Sequence, residues 1–221
     1  KTIGLPEEEV HKVEYFLGIA RGYGIKVRES SYEFFVQDAD KDNVKKFLKE
    51  HGVADKDRLI VLCPGGNWGP KRWPKKSFAE LADMLAAGMG AKIVLSGAKK
   101  DEVLVEEIRL MMKSVPVISC GETTLKELGC LLERADLVVA NDSGPMHLAV
   151  AMKSNVIALF GPTSPGLTGP YGKGNYKVIR KTVECEVPCY DVTCTDNRCM
   201  ALITVEDVFK EAEKVLNAGN R

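Results

Sequence analysis

The chain is short of nearly everything that would settle its class at a glance. Its charges cancel: Lys plus Arg and Asp plus Glu both total 31. That balance leaves no basic footprint for nucleic acid and no cationic run for a membrane surface. No apolar stretch approaches the roughly 18 residues needed to span a bilayer. The opening Lys1-Thr2-Ile3-Gly4-Leu5-Pro6 has neither an initiator Met nor the apolar core of a secretory signal. The chain is therefore read as a fragment or a processed product. Seven cysteines in 221 residues are too few for a disulfide scaffold, which favours thiols kept reduced in a cytosol. There is no G-x-G-x-x-G and no G-x-x-x-x-G-K-[ST], so dinucleotide-dependent dehydrogenase and P-loop mechanisms lose support. Only three histidines are present. Repeats and low-complexity segments are absent.

What is present is enough apolar residue, 45%, for a genuine core, arranged in two patterns. Residues 7–22 read as a helix with Val10, Val13, Leu17 and Ala20 on one face. Tyr32–Val36 reads as a strand, and Asp40–His51 as a charged amphipathic helix. His11 and His51 belong to these leading helices. From Leu59 onward, short apolar runs alternate with segments of helical period. The strands are Leu59–Cys63, Lys92–Leu95, Val115–Ile118, Leu137–Ala140, Val156–Phe160 and Tyr176–Ile179. The helices are about Phe78–Ala87, Glu102–Met112, Leu125–Glu133, Met146–Met152 and Val205–Leu216. Ser77 with Glu80, Thr124 with Glu127 and Thr204 with Asp207 have capping-box spacing. Strands this uniformly apolar are covered on both faces, as in a parallel sheet. The fold class is α/β, a Rossmann-like doubly wound parallel sheet over residues 58–205. Residues 1–57 form a leading segment with a linker, and 206–221 a C-terminal helix.

That topology locates a site. In the commonest doubly wound order the first and fourth strands are neighbours where the winding reverses, and ligands bind outside their carboxyl ends. The first strand runs into Pro64–Pro74, which carries Asn67, Lys71 and Arg72. The fourth runs into Asn141-Asp142-Ser143-Gly144-Pro145-Met146-His147. Gly144 frees the backbone, Pro145 suits a first helical turn, and the unpaired N–H groups of that turn make a natural anion site. The alternative for this segment is an ordinary capped turn. For Lys71 and Arg72 it is a solvated surface pair, and for His147 local helix packing. Asp142, a poor phosphate ligand, reads as an orienter of donors or a partner for a sugar hydroxyl or Lys71. The loop Gly161–Gly172, with free hydroxyls among its prolines and glycines, reaches the same sheet edge. Cys185, Cys189, Cys194 and Cys199 are spaced C-x3-C-x4-C-x4-C. They could hold one structural zinc or iron, form disulfides, or stay free. Cys63, Cys120 and Cys130 read as small buried apolar residues.

The stretches PGGNWGPKRWP with FAELA behind it, NDSGPMHLA and ALFGPTSPGLTGPYG resemble glycosyltransferase family 9, the ADP-heptose:lipopolysaccharide heptosyltransferases. HKVEYFLGIARGYGI resembles the end of that family's N-terminal half, so the likeness covers the second half of a full-length member. The resemblance implies the C-terminal donor-binding domain of a GT-B enzyme. Asn67 and Lys71 would contact the donor's phosphates, and Asp142, Ser143 and Gly144 would receive the diphosphate and sugar. His147 would lie beside them, and Thr123 and Thr124 would sit near the base. Where some members place an acidic residue after the second-strand glycine, this chain has Gly97-Ala98-Lys99. Similar cysteine clusters occur in a subset of the family. The implied reaction is inverting transfer of heptose or a related sugar from an ADP-sugar to the lipopolysaccharide core, with no cofactor required for transfer. The implied setting is bacterial and cytoplasmic, at the inner face of the inner membrane, with membrane contact through the missing half. The family's catalytic base would lie upstream of Lys1, so this chain alone is expected to bind donor and not turn over. Two other readings stay open: a metal-stabilised nucleotide-binding or interaction module without transferase activity, and another GT-B enzyme such as a nucleotide-sugar epimerase.

Overall fold

Uniformly apolar strands separated by amphipathic helices leave one economical solution, a parallel sheet sandwiched between helical layers. The computed structural model, which describes residues 10–27 and 30–218, adopts it. Its strands are β1 (Leu59–Cys63), β2 (Lys92–Leu95), β3 (Val117–Ile118), β4 (Leu137–Asn141), β5 (Val156–Phe160) and β6 (Tyr176–Arg180). All neighbours pair parallel, in the order β3-β2-β1-β4-β5-β6. The winding reverses between β1 and β4, where Ile60 pairs with Leu137 and Cys63 with Ala140. The helices are α1 (Lys12–Gly22), α2 (Asp38–Glu50), α3 (Lys75–Met89), α4 (Glu102–Met111), α5 (Leu125–Arg134), α6 (Gly144–Ala151), α7 (Pro165–Thr168), α8 (Arg198–Ala201) and α9 (Val205–Ala218).

Alternate strand residues feed two cores. Ile60, Leu62, Ile93, Leu95, Leu137, Val139, Ile157 and Leu159 face α3, α4 and α9. Leu59, Val61, Val138, Ala140, Val156, Ala158 and Phe160 face α2, α5 and α6. Burial on both faces explains why no polar alternation marks these strands. The C-terminal helix α9 is part of the first core through Val208, Ala212 and Leu216.

Several expectations need correction. Tyr32–Val36 is not a strand. Tyr32, Phe34 and Val36 do pack on the α2–α5–α6 core while Glu33 and Phe35 are exposed, so the alternation is real. Among the described residues the segment pairs with no strand that would complete a ladder. Helix α1 begins at Lys12, and the residues before Val10 lie outside those described. The third strand is only Val117–Ile118, because Val115 is 95% exposed and precedes Pro116. Ser77 does not cap α3, which starts two residues earlier behind Pro74. The other two capping pairs form: Thr124 with Glu127, and Thr204 with Asp207. No helix among the described residues is long and apolar enough to cross a membrane.

Candidate functional site

At the switch point the loops after β1 and β4 are stapled together by one buried amide. Asn141, fully buried at the end of β4, donates from Nδ2 to the carbonyls of Pro64 (2.8 Å) and Gly65 (3.2 Å). Its Oδ1 accepts the backbone N–H of Trp73 at 3.1 Å. Both ends of the Pro64–Pro74 loop are thereby tied to β4, and a cleft of about 670 Å³ opens between them, the size of a small-ligand site.

Asn67, Lys71, Thr123, Thr124, Asp142, Ser143, Gly144 and His147 all line this one cleft. Lys71 Nζ lies 2.7 Å from Asp142 Oδ2, one of the roles the sequence left open for that carboxylate, and 4.8 Å from the centre of the Trp68 ring. The same carboxylate oxygen accepts from Thr163 Oγ1 at 2.7 Å. Ser143 precedes α6 without capping it: its Oγ donates to the Asn141 carbonyl at 3.1 Å. Pro145 has no N–H and the Met146 N–H donates to the Ser143 carbonyl at 3.1 Å, so the start of α6 offers the cleft the backbone at Ser143 and Gly144, where the helix dipole adds positive potential. Asn67 is engaged at the rim, its Oδ1 accepting from Lys100 Nζ at 2.8 Å. An ammonium held on a carboxylate, a helix N-terminus and several hydroxyls on one wall suit an anionic ligand.

The family model described as "Glycosyltransferase family 9 (heptosyltransferase)" matches residues 6–199. The chain belongs to this family. Lipooligosaccharide heptosyltransferase 2 of Haemophilus influenzae is 41% identical over 134 residues, covering 58% of this chain and 38% of that protein. The Campylobacter jejuni enzyme of the same name (serotype O:2) is 34% identical over 178 residues, covering 77% of this chain and 55% of that protein. Among solved structures, E. coli ADP-heptose lps heptosyltransferase II superposes with a TM-score of 0.80 at 26% identity, over 99% of this chain and 66% of that one. The family 9 glycosyltransferase of Veillonella parvula gives 0.83 at 26% identity, over 97% and 62%. The chain thus spans well under two thirds of the length of these curated relatives.

In this family 9 chain the cleft holds a carboxylate that sequence reasoning missed. Asp101 stands two residues beyond the Gly97-Ala98-Lys99 stretch, and a 3-10 turn over Lys99–Asp101 folds it back. Its side chain is 7% exposed and lies 3.8 Å from Arg72 Nη2. Oδ2 accepts the Ala98 N–H at 3.1 Å, while Oδ1 is buried with no hydrogen-bond partner. A Cβ on Gly65 would stand 2.8 Å from Oδ2, so glycine is what lets the first loop pass over this carboxylate. The only sequence signal was an acid at the start of the helix following β2.

His147 sits under the edge of Tyr32, ring centres 5.9 Å apart, with Nδ1 buried and unpartnered. Burial holds its pKa below 6.5 against the opposing pull of Asp142. A histidine kept neutral in the fold binds fewer protons than in the unfolded chain. Its contribution to stability is therefore intact above about pH 6.5 and is lost as pH falls below that. An NMR titration should show the His147 ring titrating below 6.5, and a ring titrating at or above it would contradict the burial argument.

The four clustered cysteines are free, and all of them line one cavity of about 40 Å³ beside Pro70 and Pro162. Their chemistry suits a thiophilic ion, one of the three states the spacing left open. Among the described residues no three His, Cys, Asp or Glu side chains are grouped closely enough to hold one. The other three thiols are inert by burial, with Cys63 pushed up to about 12 and Cys120 to about 11. Burial raises Cys130 as well. Burial also raises Cys199, which packs against the core, so mass spectrometry after alkylation should find label on Cys185, Cys189 and Cys194 in the native chain, slower label on Cys199, and all seven labelled only after unfolding. Protection of all four by one equivalent of zinc would show that the thiols can gather round an ion, against the arrangement described.

Proposed function

We propose that this chain is the donor-binding part of an inverting heptosyltransferase. It would carry heptose, or a related sugar, from an ADP-sugar to the lipopolysaccharide core. The observation that carries the reading is the Lys71–Asp142 pair set against the N-terminus of α6, with every expected donor-binding residue on the wall of one cleft. The names of the relatives support it: the E. coli structure is an ADP-heptose heptosyltransferase, and the matched curated proteins are heptosyltransferases. Residues 58–205 would be the C-terminal domain of a GT-B enzyme and residues 1–57 the end of its N-terminal, acceptor-binding half. The enzyme would work in the bacterial cytoplasm and meet the membrane-bound acceptor through that other half.

The chemistry follows from the charges. An acceptor hydroxyl attacks the anomeric carbon from the face opposite the leaving group, a base takes its proton, and the bond from carbon to the diphosphate oxygen breaks. Negative charge grows on the departing ADP. Lys71, with Asn67 beside it, and the N–H groups at Ser143 and Gly144 would meet it without a divalent metal. Thr123 and Thr124 would flank the base. His147, neutral, would line the sugar end. The base would come from the other half, so this chain would bind donor and not turn over. Calorimetric titration with ADP tests the reading. One ADP per folded chain is expected, and a folded chain that binds no nucleoside diphosphate would overturn it.

A further inference from the structure

One oxygen in the cleft is crowded. Asp142 Oδ2 receives Lys71 Nζ at 2.7 Å, Thr163 Oγ1 at 2.7 Å and Thr168 Oγ1 at 3.4 Å. Asp142 is 6% exposed and Thr163 5%, so water reaches that oxygen poorly to replace a lost donor. An anionic ligand competes with Asp142 for the Lys71 ammonium, and the further Lys71 moves towards it the less charge stays on the carboxylate. Asp142 would then stand beside a second anion with its counter-charge weakened, a costly arrangement unless other donors stay on it. Thr163 is that donor, on a loop separate from Lys71 whose Pro162 carbonyl is held by the Cys189 N–H at 2.7 Å. Thr168 Oγ1 stands 3.4 Å from both Asp142 Oδ2 and the Ser164 carbonyl, so its single proton is a weaker reserve.

We propose that Thr163, assisted by Thr168, is a positioning residue that holds Asp142 while Lys71 exchanges from the carboxylate to the diphosphate of the bound nucleotide. In the empty cleft Lys71 is parked on Asp142. Losing Thr163 hurts the empty state less, because the ammonium is still there, and the bound state more. This inference rests on the donor reading above.

The test compares Thr163→Val, nearly the same shape without the hydroxyl, with Thr163→Ser, which restores it. ADP affinity should fall about tenfold in the valine variant, the scale of a hydrogen bond to a charged group, and recover in the serine variant. Adenosine, which has no diphosphate to call Lys71 away, should bind both variants and the unaltered chain alike in NMR titrations. Equal losses for ADP and adenosine would show a merely structural role and overturn the proposal, as would full ADP affinity in Thr163→Val. Should the valine variant fail to fold, Thr163→Ala replaces it under the same criteria. If the unaltered folded chain binds no nucleoside diphosphate, it is the donor reading itself that fails.

Discussion

Lys71→Ala is expected to lower the affinity of the chain for ADP about a hundredfold, a loss of roughly 2.7 kcal/mol. Two effects add. The ammonium that would meet the diphosphate disappears, and the Asp142 carboxylate, only 5% exposed at its side chain, is left as an uncompensated charge facing the ligand. A hydrogen bond to a charged group is worth about 1.5–3 kcal/mol, and Lys71, 17% exposed, keeps the loss within that range. Calorimetry at fixed ionic strength measures the effect, since part of the attraction is screened by salt. An affinity within about threefold of the unaltered chain, less than 1 kcal/mol, would remove Lys71 from the phosphate site.

Parts of the fold were legible because their physics is local. Leu59–Cys63, Lys92–Leu95 and Val156–Phe160 are apolar runs that end on polar or turn-forming residues, and their bounds are those the sequence suggests. Their parallel order brings the 64–74 and 141–147 segments to one crevice, so the cleft could be located before any side chain was placed. The failures are non-local. Tyr32–Val36 has the right alternation and no neighbour to pair with, which no single segment can reveal. Asp101 reaches the cleft only because a 3-10 turn reverses the chain beneath Gly65, so a search confined to the residues directly after Gly97 stops short. The cysteines show the limit of spacing. Four thiols within fifteen residues do reach one cavity, but spacing alone does not say whether they gather tightly enough to hold an ion, and among the described residues no such group is formed.

The largest expected loss of stability is Trp73→Ala, at about 4 kcal/mol by urea denaturation, as for other large aromatics emptied from a core. Trp73 is 2% exposed and packs edge-on against Phe78 at 5.0 Å, so the space it leaves is walled by rigid neighbours. Its indole N–H donates to the Ile203 carbonyl at 2.9 Å, an acceptor that would be orphaned in a buried place. For a domain whose total stability is on the order of 5–15 kcal/mol, that is a large share. It corresponds to a fall in Tm of about 10 °C. Trp73→Phe keeps most of the ring and loses the donor, so about 1–2 kcal/mol is expected. The effect should also reach the cleft. Trp73 closes the loop that carries Lys71, and its backbone N–H is one of the three bonds that lock the Asn141 amide across β1 and β4. Once the ring no longer anchors that end, Lys71 must be ordered by the ligand itself, and ADP affinity should fall even in chains that remain folded. A Trp73→Ala chain losing less than about 1 kcal/mol would mean that the loop is held by Asn141 alone, and the indole would then be filling rather than latch.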